Sequence, residues 1–167
     1  MIVIKNIDQL RRQIQDWHTN SDTIAFVPTM GNLHEGHLSL VEIAGKNATR
    51  VVVSIYVNPL QFSPDEDFER YPRTLDADLE KLERSGVDLI FTPDTSIIYP
   101  DGELKSSFVD VPALSQIIEG EFRPAFFRGV ATVVLKLFNM VQPDIAVFGE
   151  KDFQQLLVIK RLVKDLN

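Results

Sequence analysis

Four short apolar runs along this chain lack the in-and-out alternation of a strand with one wet face, and stretches of helical period separate them. The runs are Thr23–Thr29, Arg50–Val57, Val87–Thr92 and Ile145–Phe148. A strand that is apolar on both sides has to be covered on both sides, which points to a parallel sheet between two layers of helices. The intervening stretches fit that role. Ile7, Leu10, Ile14 and Trp17 share one helical face after an Asn6 cap, and Leu38, Val41, Ala44 and Ala48 form the next stripe. Leu75, Leu79 and Leu82 form a third, stopped at Gly86, and Val130, Val133, Val134, Leu137, Phe138 and Val141 a fourth, ended by Pro143. Lys151–Leu166 closes the series as a last helix, and Phe108–Val111 reads as a short edge strand. The fold class is therefore α/β, a doubly wound parallel sheet with helices on both faces. Ligands of such folds sit beyond the carboxyl ends of the strands.

At 167 residues the chain is the size of one domain. No apolar run reaches the 18 or so residues of a membrane span, and the first residues lack a basic segment followed by an apolar one. A net charge of −7 disfavours nucleic acid as a partner, while leaving a nucleotide substrate open. The chain has no cysteine, which excludes disulfides and thiolate chemistry and fits a cytoplasmic setting.

Chemistry is expected in the strand-to-helix turns. The first, Pro28-Thr29-Met30-Gly31-Asn32-Leu33-His34-Glu35-Gly36-His37, carries two glycines that admit close backbone approach. It also carries two histidines three apart, on one face of a helical first turn. Free amides and the positive dipole end at a helix start favour an anion, and two imidazoles beside it could donate to phosphate oxygens. A metal-binding pair or a capped surface turn are the other readings. The second turn, Asn58-Pro59-Leu60-Gln61-Phe62, offers neutral amides suited to hydroxyls and carboxylates, or is merely a turn. In the third, Gly149-Glu150-Lys151-Asp152-Phe153-Gln154-Gln155, a lysine opposes the dipole at a helix start. A bound anion would relieve that conflict, as would pairing with Asp152 or Glu150. Asp76 and Asp78 suit the first turn of a helix through the dipole alone.

The pattern His34-x-Gly36-His37 is similar to the signature of a nucleotidyl-transfer superfamily. The longer string from Pro28 to His37, with Asn58-Pro59-x-Gln61-Phe62 and Gly149-x-Lys151-Asp152-x-x-Gln155, resembles the pantothenate synthetases, and the resemblance runs along essentially the whole chain. Tyr71-Pro72-Arg73-Thr74 and the Asp65–Asp67 segment before it belong to it as well. It implies a Rossmann-like fold and ATP-dependent joining of pantoate to β-alanine through a pantoyl-adenylate, with AMP and pyrophosphate released. It assigns catalysis to His37, His34 and Lys151. ATP contacts fall on Met30, Gly31, His34, Gly36, His37, Gly149, Lys151 and Asp152, and pantoate or β-alanine contacts on Pro28, Thr29, Met30, Asn58, Gln61 and Gln155. Magnesium accompanies ATP, with Asp78 as an outer-shell contact, and a homodimer is the family's assembly. Family members are longer, so residues 1–167 are expected to form one N-terminal nucleotide- and pantoate-binding domain, with the C-terminal lid domain lying outside the chain. The alternatives are a fragment that binds nucleotide or pantoate without significant turnover, and a nucleotidyltransferase that leaves the nucleotide on its product. Phe126 departs from the family, which usually has histidine there.

Overall fold

The computed structural model describes residues 1–63, 68–123 and 125–166. Five strands, β1 (Ile2–Ile4), β2 (Ile24–Thr29), β3 (Arg50–Ile55), β4 (Leu89–Phe91) and β5 (Ile145–Ala146), form one sheet in the order β1-β4-β3-β2-β5. Every pairing is parallel. The helices are α1 (Ile7–Thr19), α2 (Glu35–Asn47), α3 (Leu75–Arg84), α4 (Thr95–Ile98), α5 (Pro112–Ser115), α6 (Glu119–Phe122), α7 (Phe126–Val141) and α8 (Phe153–Leu166).

Strand periodicity sorts the core into two layers. Ile24 and Phe26 face one side with Leu10, Ile14 and Trp17 of α1 and the long stripe of α7. Their neighbours Ala25 and Val27 face the other with Val41 and Ala44 of α2 and Leu82 of α3. The same alternation separates Val52 from Val51 and Val53. Asn6 caps α1 as expected, its Oδ1 accepting from the amides of Asp8 and Gln9. Gly86 follows α3 with a positive φ of 75°, the stop the sequence foretells.

Two strand expectations change. Phe108–Val111 is not a strand. The Val109 amide donates to Thr132 Oγ1 at 3.0 Å, and that hydroxyl donates back to the Val109 carbonyl, so the segment is tied to a side chain of α7. One edge of the sheet lies at the amino terminus, where β1, unmarked in the sequence, pairs with β4. The Asp65–Asp67 segment and Pro124 lie outside the described residues.

Chain direction locates the crevice. From β2 the chain steps to β3 and β4 on one side, whereas β5 lies on the other side of β2. The strand order therefore reverses between β2 and β5, and a doubly wound sheet opens to ligands there.

Candidate active site

A cavity of about 280 Å³ lies at that reversal. Its wall draws on all three motif turns: Pro28, Thr29, Met30, His34 and His37 from the first, Gln61 from the second, Asp152 and Gln155 from the third. Val130, Val133, Val134 and Leu137 of α7 supply an apolar side, and Phe148, Tyr56 and Tyr71 complete it. A neighbouring cavity of about 290 Å³ shares Met30 and Tyr56 and is lined also by Gly31 and Asp78.

The histidine pair is built differently from two rings on one helical turn. His34 is extended (φ −133°, ψ 177°) and caps α2, its Nδ1 accepting from the Gly36 amide at 3.1 Å. His37, in the first turn of α2, accepts at Nδ1 from the His34 amide at a long 3.4 Å. The two rings lie 4.2 Å apart, centroid to centroid. An Nδ1 that accepts a hydrogen bond carries no proton, so each neutral ring keeps its N–H at Nε2. The arrangement thus supplies two Nε2–H donors beside the helix N-terminus. Gly36 is needed for it, because a Cβ there would stand 2.9 Å from His34 Cε1.

Burial lowers the His37 pKa below the ordinary imidazole range, and the neighbouring His34 and the Lys151 charge act in the same direction. Asp78 and Asp152 oppose the shift. His37 is therefore neutral at pH 7, a hydrogen-bond donor without a full charge. As pH falls, the unfolded chain takes up this proton first, so the stability linked to His37 is present above about pH 6.5 and is lost below it. Asp152→Asn is expected to lower the His37 midpoint further and Lys151→Met to raise it, as read by NMR titration of the imidazole. Equal, same-signed shifts would contradict this reading of the site.

The second turn separates two amides that the sequence treats alike. Gln61 reaches the cavity. Asn58, expected as a substrate contact, is wholly buried and outside the lining. Its Nδ2 donates to Gln61 Oε1 (3.0 Å) and to the Gly129 carbonyl (3.2 Å), while its Oδ1 accepts from Tyr99 O–H at 2.9 Å. With both polar atoms engaged, Asn58 acts by holding Gln61. The third turn divides likewise. Gln155 faces the cavity, whereas buried Gln154 donates to the carbonyls of Leu114 and Ile117 and accepts from the Glu119 amide. Lys151 lies in a 3₁₀ turn, Glu150–Asp152, just before α8. It is exposed and outside the lining, as half-buried Gly149 is, yet its charge is felt at His37.

Asp78, expected near magnesium, is tied into the first motif turn. It is wholly buried, and its oxygens accept from the amides of Asn32 and Leu33, each at 2.8 Å, and from Thr74 Oγ1 at 3.1 Å. Thr29 Oγ1 braces the same turn, donating to the Ser54 carbonyl and accepting from the Gly31 amide. Gly31 itself has φ +81°, where a side chain would be strained.

Sequence reasoning left Tyr56 unmarked, named Tyr71 only within a family string, and read the α7 wall as a core stripe. Burial pushes Tyr56 up to about 12 and raises Tyr71, so both phenols stay protonated at neutral pH. Tyr56 stands next to the Arg50–Val57 run's carboxyl end, the one signal that could have marked it. The α7 residues look like ordinary core in a helical stripe.

Comparison with known proteins identifies the family. The profile of a family described as pantoate-beta-alanine ligase matches residues 2–167. A pantothenate synthetase of Shewanella sediminis (strain HAW-EB3) is 57% identical over 167 residues, all of this chain and 59% of that protein. One from Aeromonas hydrophila subsp. hydrophila is 55% identical over 166 residues, 99% of this chain and 58% of its own. The crystal structure of pantothenate synthetase from Thermus thermophilus matches with a TM-score of 0.92 at 48% identity, over 99% of this chain and 58% of that one. A pantoate-beta-alanine ligase from Francisella tularensis, complexed with beta-gamma ATP and beta-alanine, gives 0.92 at 42%, over 99% and 63%. The chain therefore spans about 59% of the length of the curated relatives it matches.

Proposed function

The chain belongs to the pantoate-beta-alanine ligase family, and from that premise we propose that its crevice binds ATP and pantoate for pantothenate formation. The observation that carries this reading is the convergence of three separate strand-to-helix turns on one cavity at the sheet's reversal point. Residues 1–167 act in it as the N-terminal nucleotide- and pantoate-binding domain, with a further domain completing the enzyme.

The reaction has two steps. A pantoate carboxylate oxygen attacks the α-phosphorus of ATP, forming an acyl–phosphate bond as the bond to pyrophosphate breaks. The β-alanine amine then attacks the activated carbonyl, loses a proton, and expels AMP. Neither step needs a side-chain nucleophile; positioning and charge stabilisation suffice. Nε2–H of His34 and of His37, the amides at the start of α2 and the Lys151 ammonium are suited to the phosphate oxygens. Gly31, Gly36, Gly149 and Asp152 belong to the same ATP contact. Gln61 and Gln155 are suited to the hydroxyls and carboxylate of pantoate, with Pro28, Thr29 and Met30 at its side and the α7 valines against its methyl groups. β-Alanine shares Gln61.

Among the described residues no group of three or more His, Asp or Glu side chains could hold a metal ion. Magnesium in this reading arrives on the triphosphate, its usual mode, and neutralises phosphate charge. A homodimer and a cytoplasmic setting are part of the same proposal; no helix among the described residues is long and apolar enough to cross a membrane.

Calorimetric titration with magnesium-ATP and with pantoate tests the site. Lys151→Ala is expected to weaken ATP binding about tenfold with pantoate binding unaltered, and Gln61→Ala to do the reverse, each a charge-assisted or neutral hydrogen bond's worth. ATP affinity unchanged in Lys151→Ala would remove the phosphate assignment. Product analysis separates the chemistry: pantothenate with AMP supports the ligase, and a nucleotidylated pantoate that accumulates in the presence of β-alanine refutes it.

A further inference from the structure

The turn of residues 31–34 carries one phosphate-facing ring, His34, and leads into the first turn of α2 that carries the other, His37, while the face of α3 that grips this turn does not line their cavity. We propose that this face is a clamp, with Asp78 and Lys81 as positioning residues that set the direction of the His34 and His37 rings. The proposal rests on the phosphate-site reading above and adds to it a part outside the substrate cavity.

Thr74, Asp78 and Lys81 follow at i, i+4 and i+7, a spacing that stacks side chains on one helical face. Each engages the turn or its anchor. Asp78 takes the Asn32 amide on Oδ2 and the Leu33 amide on Oδ1, both at 2.8 Å. Lys81 Nζ donates to the Leu33 carbonyl at 2.6 Å. Thr74 Oγ1 donates to Asp78 Oδ2 at 3.1 Å. Two amides and the carbonyl immediately ahead of His34 are thus held by one rigid element. The Leu33 side chain, 3% exposed, packs in the same layer as Leu82 of α3 and Val41 of α2, so the grip is apolar as well as polar.

Backbone geometry explains why a carboxylate stands there. Gly31 (φ +81°) and Asn32 (φ +51°) are consecutive left-handed residues. The amides that follow, of Asn32 and Leu33, converge on one carboxylate, so the turn presents a small anion-binding cup. Asp78 fills that cup. A phosphate is then left the donors that remain, at the start of α2 beside the two rings. Loss of either clamp residue lets residues 32–34 relax, and the His34 cap and the His37 acceptor bond relax with them.

The test uses the 167-residue chain with ¹⁵N-labelled histidine and the variants Asp78→Asn, Lys81→Met and Lys81→Arg, the imidazole spectra being recorded at about pH 9, where a lost neighbouring charge no longer changes ring protonation. In Asp78→Asn a side-chain NH₂ faces amide donors, and the Nδ1 resonances of His34 and His37 are expected to move as their backbone partners shift. Magnesium-ATP affinity should fall tenfold or more. Lys81→Met should give the same pattern at about threefold, and Lys81→Arg, which still donates to the Leu33 carbonyl, should restore both the resonances and the affinity. Parental imidazole resonances and parental affinity in Asp78→Asn and Lys81→Met, with only the melting temperature lowered, would overturn the clamp and leave α3 a structural support. Should Asp78→Asn not fold, the two Lys81 variants decide alone. Should the parent chain not bind ATP, the phosphate-site reading fails for this chain, while the imidazole resonances still decide the clamp: movement supports it and constancy overturns it.

Discussion

Replacing His37 with alanine is expected to lower pantoate-dependent exchange of pyrophosphate into ATP by about 10²–10³-fold, the usual loss when one preorganised donor to a developing oxyanion is removed. The ring is half-buried in the cavity wall, keeps its proton on Nε2, and is neutral at pH 7 because burial disfavours the imidazolium. A neutral donor held in place gains strength as charge builds on the phosphate oxygens and needs no water to be rearranged at that moment. His37→Gln retains a donor and should recover part of the rate. Because a bound triphosphate favours the protonated ring, the parent should gain ATP affinity over His37→Gln as pH falls from about 8 towards 6. Parental exchange rates in His37→Ala would end the assignment.

The second large effect falls on a residue with no side chain. Gly129 of α7 packs so tightly on the Asn58–Gln61 turn that a Cβ would stand 2.4 Å from the Leu60 carbonyl oxygen and 2.8 Å from its carbon. Both are backbone atoms, so α7 and the turn would have to separate. The Gly129 carbonyl also accepts from Asn58, which in turn holds Gln61. Gly129→Ala is therefore expected to destabilise the fold by about 1–3 kcal/mol or more, the range of core overpacking. For a chain of this size that lowers Tm by about 2–4 °C per kcal/mol. Pantoate binding should weaken beyond what the lost stability accounts for. Gly45→Ala in α2 is the control of opposite sign. Its Cβ would meet nothing closer than 3.8 Å, and alanine is the better helix former by up to about 1 kcal/mol. Both changes are read by thermal unfolding with and without pantoate.

The parts of this molecule that depend on periodicity are legible in the sequence. Val51–Val53 could be read as a strand buried on both faces because no polar residue interrupts it, and the helical stripes because three or four turns repeat. β1 could not, since three residues are too few for a period and two of them are exposed. Phe108–Val111 has strand-like composition, but its backbone partner is a threonine on a helix more than twenty positions away. The three motif turns were found because residue types at fixed spacing carry chemistry. What each residue does within them was not. Asn58 and Gln61 bear the same functional group, and only packing shows that one is sealed behind the other. Asp78 sits where the helix dipole alone would favour a carboxylate, and its two amide partners are over forty positions away in the chain.

The paired glutamines of α8 have a consequence for how that helix can move. Gln154 is fastened to two carbonyls and an amide of the 114–119 segment, while its neighbour opens onto the cavity at the sheet's reversal. Successive helical residues differ by a turn of about 100° and a rise of 1.5 Å. A sliding or rolling α8 would have to break three bonds at once and exchange the two amides, so the helix has a single indexed seat, like a keyed shaft. Small thermal excursions of its exposed far end are then not transmitted to Gln155, whose bearing on the ligand is set at the key.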